Sequence, residues 1–82
     1  MRLSNILRRA EKTDVQPGYS YRRELGPSLT EKVRVLDLKS DPAGIPHVRF
    51  EVCFERRSER LETARRILSL DRFVESYRER VA

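Results

Sequence analysis

From Val48 to Glu55 apolar and polar residues alternate without a break: Val48-Arg49-Phe50-Glu51-Val52-Cys53-Phe54-Glu55. A period of two is the mark of a β-strand with one face buried and the other in water. Upstream, Val33-Arg34-Val35-Leu36-Asp37-Leu38 predicts a partner strand over about residues 30–40. Asp41-Pro42-Ala43-Gly44 lies between them and reads as a turn. The Asp side chain accepts from the turn backbone, Pro presets φ, and Gly takes the left-handed conformation at the end. Pro46, with no amide to give to a ladder, stands where the next strand can begin. Val33 and Val35 have the opposite parity to Leu36 and Leu38, so burying all four requires a bulge or sharp bend near Val35-Leu36.

The other elements follow from weaker patterns. Tyr19 to Leu25 alternates well enough for a first strand, closed by a loop at Gly26-Pro27-Ser28. Arg56-Arg57-Ser58-Glu59-Arg60 reads as a charged connector. In the stretch after it Leu61, Ala64 and Leu68 fit a helical period, while Ala64, Arg66, Leu68 and Leu70 fit a strand. A strand over about 62–68 is expected, because the long strand before it needs a neighbour. Ser69 then caps a helix with Asp71 in its first turn. Leu70, Phe73, Val74, Tyr77 and Val81 follow at helical spacing, predicting a helix over 70–80.

At the other end Leu3, Ile6, Leu7 and Ala10 share one helical face, with Arg2, Arg8, Arg9 and Lys12 around it and Ser4 as a cap. So short a helix forms only if docked. Residues 1–16 are therefore an N-terminal arm, either a short basic helix or a frayed end, and Thr13 to Gly18 is a linker. The domain is expected over 17–82. Its fold class is mainly β (β-rich α+β): a small, strongly bent antiparallel sheet or small barrel with a short C-terminal helix.

Composition narrows the function classes. Eighty-two residues make one domain, and the apolar fraction of 38% is matched by an equal charged fraction. The core is thin and has no room for a deep substrate pocket. Net charge is +5, carried by fifteen Arg and three Lys against thirteen acids. A planar guanidinium suits phosphate and carboxylate alike, which points to nucleic acid or an acidic protein surface as partner. The interspersed acids fit an ordinary solvated surface equally well. One cysteine, Cys53, rules out an internal disulfide. The opening residues lack a signal-peptide pattern, and no apolar run approaches the roughly 20 residues of a membrane span. A cytoplasmic protein with no membrane contact is expected.

Three segments taken together resemble a known kind of fold. They are Gly18-Tyr19-Ser20-Tyr21-Arg22, then Asp41-Pro42-Ala43-Gly44-Ile45-Pro46-His47-Val48-Arg49-Phe50, and Arg66-Ile67-Leu68-Ser69-Leu70-Asp71-Arg72-Phe73. With the bent strand among them they are similar to small bacterial proteins of SH3-like fold, related in shape to Tudor and KOW modules. The likeness spans roughly residues 17–75 and rests on strand order and turn placement. It implies a binding module for RNA, DNA, ribosomal surfaces or peptides, acting through loops and exposed aromatics. The chain lacks a KOW signature and a Tudor-type aromatic cage, and fold likeness by itself assigns no function.

Tyr19, Tyr21, Arg22 and Arg23 interleave rings with guanidinium groups, the chemistry of a single-strand nucleic-acid platform. Against this, one tyrosine can be core and the arginines solvated. Arg49, with Arg65 and Arg66 on the following strand, extends the same basic surface, although Glu51 and Glu55 on the face of Arg49 favour cross-strand ion pairs. His47 has no recognisable partner for base or metal work. Cys53 lies on the polar side of its strand. Asp37 and Asp41 flank a turn and read as turn chemistry, and the three glycines form no phosphate loop. No catalytic residue, metal or cofactor is expected. The reading is a non-catalytic binding module contacting nucleic acid or a ribonucleoprotein. The alternative is a protein-interaction or structural protein, monomeric or a weak homodimer joined by an exposed strand edge.

Overall fold

The computed structural model describes residues 14–81 and, as backbone, residues 7–9. Among them six strands and one helix follow one another: β1 (Leu7–Arg9), β2 (Ser20–Gly26), β3 (Leu29–Ser40), β4 (Pro46–Arg56), β5 (Glu59–Ser69), α1 (Leu70–Ser76) and β6 (Glu79–Val81). All pairings are antiparallel and the sheet order is β1-β6-β2-β3-β4-β5. No pairing among the described residues joins β1 to β5, so among them the sheet is open and β5 is an edge strand. The fold is mainly β, as expected, and its ladder does not close on itself among the described residues.

The β3–β4 hairpin is its spine. Asp41 Oδ1 accepts from the amides of Ala43 and Ile45, each at 2.9 Å, and Gly44 turns the chain at φ +84°. In the ladder Val35 faces Phe50 and Asp37 faces Arg49, which leaves Leu36 as the extra residue of a bulge. The bulge falls at the change of parity, so Val33 and Val35 before it are buried and Leu38 after it still packs on the core. Val48, Phe50 and Val52 of β4 are fully buried, and Phe54 is partly so.

The other two hairpin turns are tight. Pro27-Ser28 joins β2 to β3 with Ser28 at φ +66°, the type II arrangement of Pro followed by positive φ. The expected charged connector is no loop: Arg57 and Ser58 alone turn β4 into β5, at φ +53° and +69°. Positive φ at both central residues is the type I′ hairpin, whose twist suits the strands on either side.

Ser69 caps α1 as expected, its Oγ accepting from the Arg72 amide at 3.3 Å. Phe73 and Tyr77 pack edge-on against Phe50, with ring centroids 5.1 and 5.5 Å away, and Tyr21 meets Phe73 at 5.2 Å. The helix does not reach residue 80. It ends at Tyr77, whose φ of −121° turns the chain outward so that the ring enters the core. Residues 79–81 then run as β6 between β1 and β2, and Val81, expected on the helix face, lies exposed on a strand.

The start of the chain also departs from expectation. Leu7, Arg8 and Arg9 form a strand, because β6 offers them a ladder that a marginal helix does not have. Leu3, Ile6, Ala10, Arg2, Lys12 and the Ser4 cap lie outside the described residues. Val15 sits in the core, and the amides of Gly18 and Val35 bond to Val35 and Tyr19 carbonyls at 2.8 and 2.9 Å. Residues 14–18 are thus part of the packed domain. No helix among the described residues is long and apolar enough to cross a membrane.

Candidate binding surface

A strand's alternation splits every run of neighbouring residues between two faces, and this divides the expected site. The inner face carries Tyr21, Arg23, Glu31, Val33, Phe50, Ala64 and Arg66; the outer carries Arg22, Lys32, Arg34, Arg49, Glu51, Cys53, Thr63 and Arg65. Arg22 and Arg23 therefore point apart, as do Arg65 and Arg66. No single basic stripe runs through them.

Most of the expected contact residues have partners inside the fold. Tyr21 is 1% exposed and cannot stack on a base. Burial raises its pKa to about 12, and its hydroxyl has no hydrogen-bond partner among the described residues. Tyr19 is half-buried beneath the Arg80 guanidinium, 4.2 Å from its ring centroid, and Arg80 also bonds Asp14 at 3.2 Å. Arg23 donates from Nε to Glu31 Oε1 at 2.7 Å and lies 4.8 Å over the Tyr77 ring. Glu31 is 1% exposed, and the Tyr77 hydroxyl donates to its other oxygen at 2.7 Å. Burial first, then the Glu31 carboxylate, holds the Tyr77 phenol far above its ordinary range. A buried carboxylate with two donors is satisfied, so this cluster clamps the end of α1 to β2 and β3. Its signal was present in the pattern, since Glu31 shares the inward parity of Val33 and Val35.

The outer face is laced with ion pairs. Arg49 donates from Nε and Nη2 to Asp37, lowering the carboxyl pKa and raising that of the guanidinium through the hydrogen bond. Asp37 thus belongs to this pair and not to the turn. Arg65 meets Glu51 at 3.7 Å, Lys32 meets Glu55 at 3.1 Å, and Arg22 meets Glu24 at 3.5 Å. Arg66 is exposed on the inner side of β5.

Two shallow depressions mark this face. One, of about 500 Å³, lies by the Asp41 turn between Lys39, His47, Arg49 and Ile67. His47 Nδ1 is 3.0 Å from the Ile45 carbonyl oxygen, which can only accept a hydrogen bond from it, and 3.9 Å from Asp41 Oδ2. The other, of about 440 Å³, has Cys53 and Thr63 among its lining with Lys32, Arg34 and Arg60 around them. Cys53 is half-buried there, its Sγ 3.9 Å from the Phe54 carbonyl oxygen. Among the described residues no three His, Cys, Asp or Glu side chains gather to hold a metal.

The cations left over lie elsewhere than the run at Tyr19–Arg23. Exposed cations without an ion pair among the described residues include Lys39, Arg66, Arg34, Arg56, Arg57 and Arg60. The last three surround the β4–β5 turn, whose Arg57 amide bonds to the Ser28 carbonyl at 3.3 Å and draws the β2–β3 turn alongside. No family model, no curated protein and no solved structure matches the chain.

Proposed function

We propose that the chain is a non-catalytic binding module that grips a phosphate-rich partner, nucleic acid or a ribonucleoprotein, with the β4–β5 hairpin end. The observation that supports this is the set of unengaged guanidinium groups on Arg56, Arg57 and Arg60, with Arg34 across the adjoining groove. A free guanidinium keeps its forked donors for phosphate, whereas Arg23 and Arg49 have already given theirs to carboxylates. The SH3-like resemblance belongs to the same proposal, because modules of that kind bind nucleic acid through loops, and the β4–β5 turn is one. A cytoplasmic setting belongs to it as well.

The test is anisotropy of a labelled single-stranded oligonucleotide, titrated at several salt concentrations. The logarithm of affinity should fall linearly with that of salt, by about 0.7 for each phosphate neutralised. Arg56→Ala with Arg57→Ala should flatten the slope by about 1.4. Salt-independent binding, or a variant that binds as the parent does, overturns the reading. A second reading, a protein-interaction module, is favoured by the β5 edge, where Ile67 is 62% and Leu61 49% exposed.

A further inference from the structure

An edge strand presents unpaired amides and carbonyls to any strand of suitable register. β5 offers eleven residues of such an edge, Glu59-Arg60-Leu61-Glu62-Thr63-Ala64-Arg65-Arg66-Ile67-Leu68-Ser69. Its side chains are mostly exposed, and they include both signs of charge and the two exposed apolar residues just named. A second copy of the same strand is the simplest partner, since two-fold pairing of identical edges is antiparallel and closes on itself.

Antiparallel strands set directly opposite side chains on the same face. A two-fold axis normal to the sheet therefore passes through a residue, and its choice decides every pair. With Ala64 on the axis, Thr63 lies opposite Arg65 of the second copy, and Glu62 opposite Arg66. The parity is right: Glu62, Ala64 and Arg66 face Phe54, Val52 and Phe50 on the inner side, and Thr63 and Arg65 face Cys53 and Glu51 on the outer. The same axis brings Leu61, the extra residue of the bulge between the pairs Phe54–Glu62 and Glu55–Arg60, level with Ile67. Neighbouring axes lose this match. An axis at Glu62, Arg65 or Arg66 sets that charge against its own copy, and one at Thr63 brings Arg60 level with Arg66.

We infer that two copies of this chain associate through β5, with Ala64 on the two-fold axis, two Glu62–Arg66 ion pairs across it, and Leu61 against Ile67 at either end. The outcome is one continuous sheet carrying the helices on a common side. The inference rests on the interaction reading and not on phosphate binding. Failure of the oligonucleotide assay leaves it standing, and a monomeric chain leaves the phosphate reading standing.

Sedimentation velocity over a rising concentration series tests it, with circular dichroism to show that each variant keeps the fold. The wild-type chain should shift from monomer to dimer. Arg66→Glu sets like charges opposite at both pairs and should raise the dissociation constant at least about tenfold. Arg66→Glu combined with Glu62→Arg exchanges the signs and should restore dimerisation. A wild-type chain that stays monomeric at millimolar concentration overturns the inference. So does an Arg66→Glu variant that dimerises unimpaired, or an exchange variant that fails to recover.

Discussion

Two arginine–carboxylate pairs on opposite faces of one sheet show how position decides what the same chemistry does. Arg23–Glu31 and Arg49–Asp37 are both cross-strand pairs. On the inner face the carboxylate is sealed under α1, and a buried charge must keep every donor it has. On the outer face both partners stay in water, where solvent screens their attraction and competes for each hydrogen bond. The first pair is therefore part of the fold's structure, and the second is a surface feature.

The sharpest way to break this contrast is Glu31→Ala, which leaves the Tyr77 hydroxyl buried without an acceptor and a void beside it. Urea denaturation should show a loss of about 3–4 kcal/mol. A loss below about 1 kcal/mol would sink the distinction between the two faces.

Alkali tests the inner face without mutation. The Tyr21 phenol ionises at about 12 in the fold against an ordinary 10.0, and Tyr77 is shifted in the same direction. Below pH 10 both states hold the proton and stability is unaffected. Above pH 10 the unfolded chain loses it first, so stability falls with rising pH until the folded phenol also ionises. For Tyr21 that loss amounts to about 2 kcal/mol by pH 12. Stability that stays flat between pH 10 and 12 would contradict the burial.

The two phenols separate at neutral pH. Tyr77→Phe removes a donor from a buried carboxylate and should cost about 2 kcal/mol. Tyr21→Phe removes a hydroxyl with no described partner and should be neutral or mildly stabilising. Equal effects would mean that Glu31 does not depend on Tyr77. Least of all, Asp37→Asn should leave the urea midpoint within error of the parent.

Local signals were legible in the chain. The Asp41 turn, the bulge at Val35-Leu36, the start at Pro46 and the Ser69 cap each depend on a few adjacent residues, so their chemistry can be read in place. A strand forms over 62–68, as expected, because pairing with β4 outweighs a helical period. What escaped depended on distant partners. A three-residue strand has no period to detect, so Leu7–Arg9 and Glu79–Val81 were hidden until β6 brought them together. Val15 is one apolar residue in a polar stretch, and only its packing reveals it. The tyrosine–arginine run was misleading for another reason. Read as a cluster it suggested a platform, whereas its own alternation sends Tyr21 and Arg23 inward and Arg22 outward.

In the sheet order β6 stands between β1 and the remainder, and β1 pairs with nothing else among the described residues. Among the described residues Leu7–Arg9 thus have a single point of attachment, three residues long. Their amides, with those amides of Glu79–Val81 that point toward β1, should become labile to deuterium in one cooperative opening, while the amides joining β3 to β4 exchange only when the whole chain unfolds.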